Sequence, residues 1–251
     1  MAESVEARVL GPRPELDERS SYVPRAGQEW FIVTGLARAV PGALSRWGPS
    51  GGGRVLDVGC GRQPFRGMLE GMGLAYEGLD TQQNADGTVA HVCAIDGDLP
   101  AGLSAGSFDL VLCTEVLEHV ADWGRAWGNI AGLMRPGGRA VVTCPFVYPL
   151  HEEPYDFWRA TPHALAYWSG RSGLRVVESS RVGGGLEALG TALASVRVRS
   201  CGGIGGMATA AALQAWRRVG LWALKRGWVR GVVEGRGGLY VSNLVVLEKP
   251  A

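Results

Sequence analysis

Short apolar runs alternate with longer helical patterns through the first two thirds of this chain, and this alternation constrains the fold more than any other feature. The runs RVLDVG, AYEGLD, VAHVCAID, FDLVLCT and RAVVTCPF have the length of single strands, whereas ADWGRAWGNIAGLMR has helical spacing. Strands joined by helices need crossover connections, so they lie parallel in one sheet with helices on both faces. With two more strands, in RVVESSRV and GLYVSNLVVLEKP, the sequence predicts a doubly wound α/β fold with a mostly parallel seven-stranded sheet.

The glycine-rich stretch PSGGG, residues 49–53, separates two parts of the chain. Residues 1–53 are predicted to form an N-terminal arm and a lid helix, because an amphipathic pattern runs from Glu29 to Trp47 with a kink near Pro41. Residues 54–251 are predicted to form one α/β domain. A helical insert at about 183–233 precedes its last strand.

Composition sets the broad class of the protein. With 251 residues, 46% hydrophobic and 20% charged, the chain can bury a large core in one domain. Five cysteines without a C-x-x-C pair favour a reduced compartment. The sequence shows no secretory signal or apolar run of membrane-spanning length, so we expect a cytoplasmic protein. A net charge of +1 and no recognisable binding module argue against a nucleic-acid partner.

The turn after the first strand, VLDVGCGRQPF, predicts a cofactor site. A strand, a tight glycine turn and a helix present backbone N–H groups to a ligand at the crevice of such a sheet. A nicotinamide cofactor favours a third glycine, where this chain has Pro64. The Asp57 carboxylate would repel a diphosphate but suits a ligand with an ammonium and a sulfonium group. The residues therefore favour a cationic cofactor.

The segment Asp57-Val58-Gly59-Cys60-Gly61 resembles the D-x-G-x-G turn of class I S-adenosylmethionine-dependent methyltransferases. The segments YEGLD, IDGDLP, SFDLVLCTEVLEHV and LMRPGG are similar to the small-molecule branch of that family. The resemblance implies S-adenosyl-L-methionine as cofactor. It implies that Asp57 binds the ammonium group and Asp80 the ribose hydroxyls. Asp96 or Asp98 would bind the adenine amino group. The further contacts that it implies are Gly59, Cys60, Gly61, Gly97 and the backbone carbonyl of Thr114.

Two residues after the fourth strand have open roles. His119 could touch the cofactor, but a histidine that bridges backbone groups at a helix start is the favoured interpretation. Glu115 is equally compatible with a helix-start acid and with a site residue.

The segment PLHEEPYDFWRATPH follows the fifth strand and is the richest polar cluster at the predicted crevice. It resembles an HEEPYDFWR segment of some bacterial methyltransferases. His151 is the predicted base, with Glu152 or Glu153 orienting it or acting in its place. Tyr155, Trp158 and Arg159 are predicted to shape the acceptor pocket, or Arg159 pins the loop through an ion pair with Asp156 or Glu153.

A metal is not predicted in this segment. His151 and the carboxylates of Glu152 and Glu153 are potential ligands, but adjacent residues rarely converge on one ion.

The predicted function is methyl transfer to a small-molecule acceptor, most simply a hydroxyl oxygen of a saccharide or specialised metabolite. The alternatives are methylation of nitrogen or carbon on a small or lipid-linked acceptor, and a cofactor-binding module without turnover. The tryptophan- and arginine-rich segment 213–230 either covers the sheet or makes weak contact with a membrane surface.

Overall fold

The computed structural model describes residues 9–11, 13, 21–24, 27–200, 202–226, 229 and 238–251. The strands are β1 (Gly53–Val58), β2 (Leu74–Asp80), β3 (His91–Val92), β4 (Phe108–Thr114), β5 (Met134–Pro145), β6 (Arg175–Val182) and β7 (Ser242–Glu248). The helices used below are α1 (Trp30–Trp47), α2 (Arg66–Gly71), α3 (Trp123–Leu133), α4 (Pro162–Arg171), α5 (Gly185–Ser195) and α6 (Ile204–Leu224).

All seven strands form one sheet in the order β3-β2-β1-β4-β5-β7-β6. The strands from β1 to β5 pair in parallel, and β7 is antiparallel to β5 and to β6. The predicted doubly wound, mostly parallel sheet is confirmed. The strand order reverses between β1 and β4, which is where a ligand crevice is expected in an open α/β sheet.

Helices cover both faces of the sheet, and the central strands are apolar on both sides for that reason. In β4, Leu110 and Leu112 pack in the core under α1, whereas Val111 and Cys113 pack in the core under α3. All four side chains are fully buried. This two-sided burial holds the carboxyl ends of the strands in place.

The helix predicted from Glu29 to Trp47 is present as α1 and continues through Pro41. It packs against the sheet, and Phe31, Leu36 and Leu44 are buried along it. The part of this region that reaches the crevice is the preceding arm. The boundary at residue 53 remains a prediction.

The predicted strand VAHVCAID is reduced to the two residues of β3. In the residues before β3, side chains rather than a neighbouring strand accept hydrogen bonds from the backbone N–H groups. Gln83 accepts from the N–H of Val89 at 2.8 Å, and Asn84 accepts from the N–H of Thr88 at 3.0 Å. Because these groups are already paired, this edge segment does not extend the sheet.

Two helices, α5 and α6, fall within the predicted insert. A Cβ atom on Gly190 of α5 would lie 2.3 Å from the Phe31 ring, so the glycine allows α5 to pack closely on α1. Helix α6 packs on α5 and leaves Trp216 and Trp222 66% and 54% exposed. Residues 201, 227, 228 and 230–233 of the insert lie outside the described residues. Among the described helices, none combines the length and apolarity needed to span a membrane.

Candidate active site

A cavity of about 230 Å³ lies at the carboxyl edge of the sheet, where the strand order reverses. The turn after β1, the end of β2, the segment after β3 and the residues after β4 line it. Two residues of the N-terminal arm, Arg13 and Tyr22, line it as well. Glu152 and Tyr155, in the loop after β5, also line it, so the cavity collects residues from six separate parts of the chain.

The glycine turn forms one wall of this cavity. Gly59 and Gly61 have φ of 66° and 49°, in the left-handed region that favours glycine. A Cβ atom on Gly59 would lie 2.2 Å from Cγ2 of Val116, so a side chain there would displace Val116, the second residue after β4. Glycine therefore brings the turn close to the opposite wall.

Asp80 ends β2 beside this turn. Its carboxylate accepts hydrogen bonds from the N–H groups of Gly61 at 2.8 Å and Thr81 at 2.7 Å. Burial raises the pKa of Asp80, although these N–H groups act in the opposite direction. Oδ1 also accepts from the Thr81 hydroxyl at 3.3 Å, and the carboxylate lines the cavity.

Asp57 lies in β1 and is 2% exposed. Burial raises its pKa to about 7, and a hydrogen bond from the Tyr76 hydroxyl at 2.7 Å limits the increase. Sequence reasoning missed Tyr76, because only the pairing of β1 with β2 brings it beside Asp57.

The two candidate acids after β3 have different surroundings. Asp96 lines the cavity, is 8% exposed and accepts from the N–H of Asp122 at 3.3 Å. Asp98 has a fully exposed side chain paired with Arg125 at 2.6 Å. Gly97 lies outside the cavity, and its carbonyl accepts from the Asn129 amide at 3.0 Å. Only Asp96 of these three faces the ligand space.

The other predicted cofactor residues, Cys60 and Thr114, also line the cavity. Cys60 lies in the turn after β1, and Thr114 ends β4; the strand order reverses between these two strands. Their assignment remains a prediction.

On the β4 and β5 side of the strand-order reversal, Glu115, His119 and Glu152 form a polar wall of the cavity, with Tyr155 beside it. Glu115 has φ of 53° and accepts a hydrogen bond from the Ser242 hydroxyl at 2.7 Å. Burial raises the pKa of Glu115. The Nδ1 atom of His119 lies 2.8 Å from the carbonyl oxygen of Tyr155, so this nitrogen donates.

His151, the predicted base, does not line the cavity but lies behind His119. The Nε2 atoms of the two rings are 3.1 Å apart. Burial and the His119 ring lower the pKa of His151. Glu153 is exposed and also lies outside the cavity, so Glu152 alone of the three predicted catalytic residues faces it.

Two predicted pocket residues form part of the loop scaffold. Arg159 forms an ion pair with Asp156 at 2.6 Å and also donates to the carbonyls of Tyr148 and Pro149. These contacts match the alternative prediction, in which Arg159 pins the loop. Although burial acts in the opposite direction, bonds from Arg159 and from the N–H of His151 lower the pKa of Asp156. Trp158 donates its indole N–H to the carbonyl of Val120 at 2.8 Å.

Glu118 is a second residue that sequence reasoning missed. It is fully buried in the short turn of residues 117–119, and neither carboxylate oxygen has a hydrogen-bond partner among the described residues. Burial raises its pKa well above the ordinary value. Only the motif LEH could have drawn attention to it, and that motif does not reveal burial.

The N-terminal arm covers the polar wall of the cavity. The Arg13 guanidinium lies 4.3 Å from the Tyr155 ring centroid, and the Tyr155 hydroxyl donates to the carbonyl of Gly11. Tyr22 packs on Phe65 with ring centroids 4.7 Å apart. Composition alone gave no sign of this role, because the arm reads as a polar, proline-containing segment.

Comparison with known proteins places this geometry in a family. A family model described as a methyltransferase domain matches residues 33–178, more than half of the chain. A ubiquinone biosynthesis O-methyltransferase from Thiobacillus denitrificans is 32% identical over 100 residues, which covers 36% of this chain and 43% of that protein. The chain therefore spans less than half the length of the curated relatives it matches.

Solved structures show the same fold at low sequence identity. The [4+2]-cyclase SpnF has a TM-score of 0.57 and 18% identity, with coverage of 94% of this chain and 88% of that chain. Phosphoethanolamine N-methyltransferase 2 from Haemonchus contortus, in complex with S-adenosyl-L-methionine, has a TM-score of 0.54 and 18% identity, with coverage of 90% and 56%.

The sheet and the glycine turn are those of class I methyltransferases. The chain belongs to the methyltransferase-domain family, and its fold is that of class I S-adenosylmethionine-dependent methyltransferases. The predicted family and cofactor are confirmed. The residues present fit this cofactor, because the close glycine approach and three carboxylates, of Asp57, Asp80 and Asp96, face one cavity.

The environments of Asp96 and Asp98 predict different effects of substitution. Asp96→Ala should weaken S-adenosylmethionine binding by about tenfold, because a buried hydrogen-bond acceptor in the cavity is lost. Asp98→Ala, its matched control, should leave binding unchanged. Isothermal titration calorimetry measures both, and equal affinities in the two variants would refute the assignment of Asp96.

The raised pKa of Asp57 predicts pH-dependent cofactor binding. A carboxyl group with a pKa of about 7 is neutral below that pH, so a cationic ligand that needs the carboxylate must first displace a proton. From about pH 7.5 to about pH 5.5, affinity should fall by up to roughly tenfold per unit.

Calorimetry on two variants tests this cause. Asp57→Asn should remove the pH dependence over this interval. Tyr76→Phe removes the hydrogen bond that lowers the pKa of Asp57, so the fall in affinity should begin at a higher pH. A profile that is the same in Asp57→Asn and in the wild-type protein would assign the effect to another group.

Proposed function

We propose that the chain transfers a methyl group from S-adenosyl-L-methionine to a hydroxyl oxygen of a small organic molecule. The observation that supports the proposal is one cavity lined by two chemically different groups of residues, which come from the two sides of the strand-order reversal and are called its two ends here. Asp57, Asp80 and Asp96 lie at one end, and the wall of Glu115 and Glu152 with His119 lies at the other. The printed name of the relatives, ubiquinone biosynthesis O-methyltransferase, supports oxygen as the acceptor atom.

The residues at the first end have the chemistry to hold the cofactor. Asp80 accepts from the ribose hydroxyls, because its oxygens are oriented by two backbone N–H groups. Asp57 balances the ammonium group, directly or through water. Asp96 accepts from the adenine amino group. The bound cofactor supplies a methyl carbon that its sulfonium group makes electrophilic.

The second end receives the acceptor. A hydroxyl oxygen held against the polar wall forms a bond to the methyl carbon as the carbon–sulfur bond breaks, and the bonding electrons remain on sulfur. The hydroxyl proton passes to the carboxylate of Glu152, whose side chain is half exposed at the cavity. Positioning and the exclusion of water by the arm supply the rest of the rate.

The proposal specifies the reacting atom of the acceptor, an oxygen, and leaves a wider choice for the rest of the acceptor molecule. A saccharide or a specialised metabolite fits a polar wall beside Tyr155, and a nitrogen, carbon or lipid-linked acceptor would use the same donor pocket. The fold also occurs in a protein described as a [4+2]-cyclase, so fold alone does not fix the reaction. A cofactor-binding module without turnover is the competing function.

Methyl transfer tests the proposal directly. The protein is incubated with methyl-labelled S-adenosylmethionine and a library of hydroxyl-bearing metabolites, and the products are identified by mass spectrometry. Glu152→Gln should lower kcat by about 100-fold and change cofactor affinity little. Glu153→Gln is the neighbouring control and should be active. Cofactor binding without any methylated product would support the binding module instead.

We also propose that α6 makes weak contact with an anionic membrane surface. Trp216, Val219 and Trp222 are exposed on it, Arg218 is exposed beside them, and residues 188–233 contain no acidic residue. The three exposed apolar side chains lie within about one third of the helix circumference at 3.6 residues per turn.

Sedimentation with vesicles tests this contact. The protein should bind vesicles of anionic lipid at low salt, release at high salt and ignore zwitterionic vesicles. Trp216→Ser with Trp222→Ser should weaken binding by at least about fivefold. Absence of binding to anionic vesicles at low salt would reject the contact.

A further inference from the structure

Two histidine rings and a buried carboxylate converge behind the polar wall of the cavity. The Nε2 atom of His119 lies 3.1 Å from Nε2 of His151 and 3.8 Å from Oε1 of Glu118. One ligand atom from each of the three residues lies within 4.8 Å of the others. These side chains come from two loops that are far apart in the sequence.

The hydrogen bonds of the two rings determine where their protons lie. Nδ1 of His119 is 2.8 Å from the carbonyl oxygen of Tyr155, and Nδ1 of His151 is 3.3 Å from the carbonyl of Pro149 and from the carboxylate of Asp156. These oxygens only accept, so each Nδ1 carries its ring proton. Two neutral rings therefore direct their Nε2 lone pairs at each other.

A cation between the rings removes this repulsion, and Glu118 indicates which cation it is. A proton shared by the two nitrogens would satisfy the rings alone. It would leave both oxygens of Glu118 buried without a partner among the described residues. A metal ion satisfies the two nitrogens and the carboxylate together, because one ion accepts several ligands.

We propose that Glu118, His119 and His151 bind a divalent transition-metal ion such as Zn²⁺. Nitrogen ligands about 2.0–2.1 Å from a zinc ion lie roughly 2.9–3.4 Å apart at angles between octahedral and tetrahedral. The observed 3.1 Å between the two Nε2 atoms falls in this interval. Two imidazoles and one carboxylate leave further coordination positions open.

The surrounding hydrogen bonds hold the ligands in place. The N–H groups of Phe157 and Trp158 donate to the carbonyl of Glu118 at 2.8 and 3.3 Å, which joins the two loops. The backbone N–H of His151 donates to Asp156 at 2.9 Å. Oriented Nδ1 protons and joined loops are the support that metal-binding histidines need.

The position of the site suggests its use, and this step rests on the proposed function. His119 lines the cavity, so a metal ion bound to it would lie next to the space for the acceptor. An acceptor hydroxyl bound there would lose its proton more readily, because a metal ion lowers the pKa of a bound hydroxyl group. Glu152, with Oε2 3.9 Å from Nε2 of His119, is placed to receive that proton.

Metal titration tests the site without any acceptor. The full chain, freed of metal with a chelator, is titrated with Zn²⁺ by calorimetry and should bind one equivalent. Glu118→Gln and His151→Gln should each weaken binding by at least about tenfold. His163→Gln is the matched control, because His163 is exposed at the start of α4, and its affinity should equal that of the wild-type protein. No zinc binding, or equal binding in all variants, would overturn the inference.

A spectroscopic measurement on the wild-type chain is independent of how the variants fold. Electron paramagnetic resonance of bound Cu²⁺ should show hyperfine coupling to two imidazole nitrogens. Coupling to one or none would overturn the inference. S-adenosylmethionine binding and methyl transfer are assayed separately, so methylation without metal binding refutes the metal site alone, and metal binding without methylation refutes the proposed function alone.

Discussion

The reversal of strand order between β1 and β4 is the constraint on which the rest of this protein depends. Because β1 connects towards β2 and β4 connects towards β5, the segments that leave these two strands separate and open a crevice at the sheet edge. Gly59 enters that crevice from one side and Val116 from the other. Two-sided packing of the strands fixes both positions, and a glycine backbone allows them to approach.

Electrostatics then divide the crevice into two ends. Asp57 and Asp80 are buried at the first end, and burial raises the pKa of both groups. A ligand that brings positive charge and hydrogen-bond donors satisfies these acids, as S-adenosylmethionine does. Glu118 and the facing rings of His119 and His151 present an analogous problem at the second end. Their requirement for a cation is solved most completely by a metal ion.

The loop of residues 146–161 shows how one polar segment can serve two purposes. Arg159 and Asp156 form an ion pair within the loop, and Arg159 also donates to a backbone carbonyl of the same loop. These contacts hold the loop so that His151 lies beside His119 and Glu152 lines the cavity. A cluster that reads as uniformly catalytic in sequence is therefore divided into supporting residues and residues that face the ligand.

The sequence by itself determined the sheet class, the cofactor family and the glycine turn, because these depend on local periodicity and on a contiguous motif. It also placed Asp57, Asp80 and Asp96 near strand ends, which parallel strands bring to one edge. Tertiary structure decided what contiguity cannot encode: that Tyr76 bonds Asp57, that Arg13 covers Tyr155, and that Asp96 rather than Asp98 faces inward. It likewise brought His151 to His119 and buried Glu118 beside them. Burial and the pairing of distant loops arise only when the whole chain packs, so local patterns in the sequence do not reveal them.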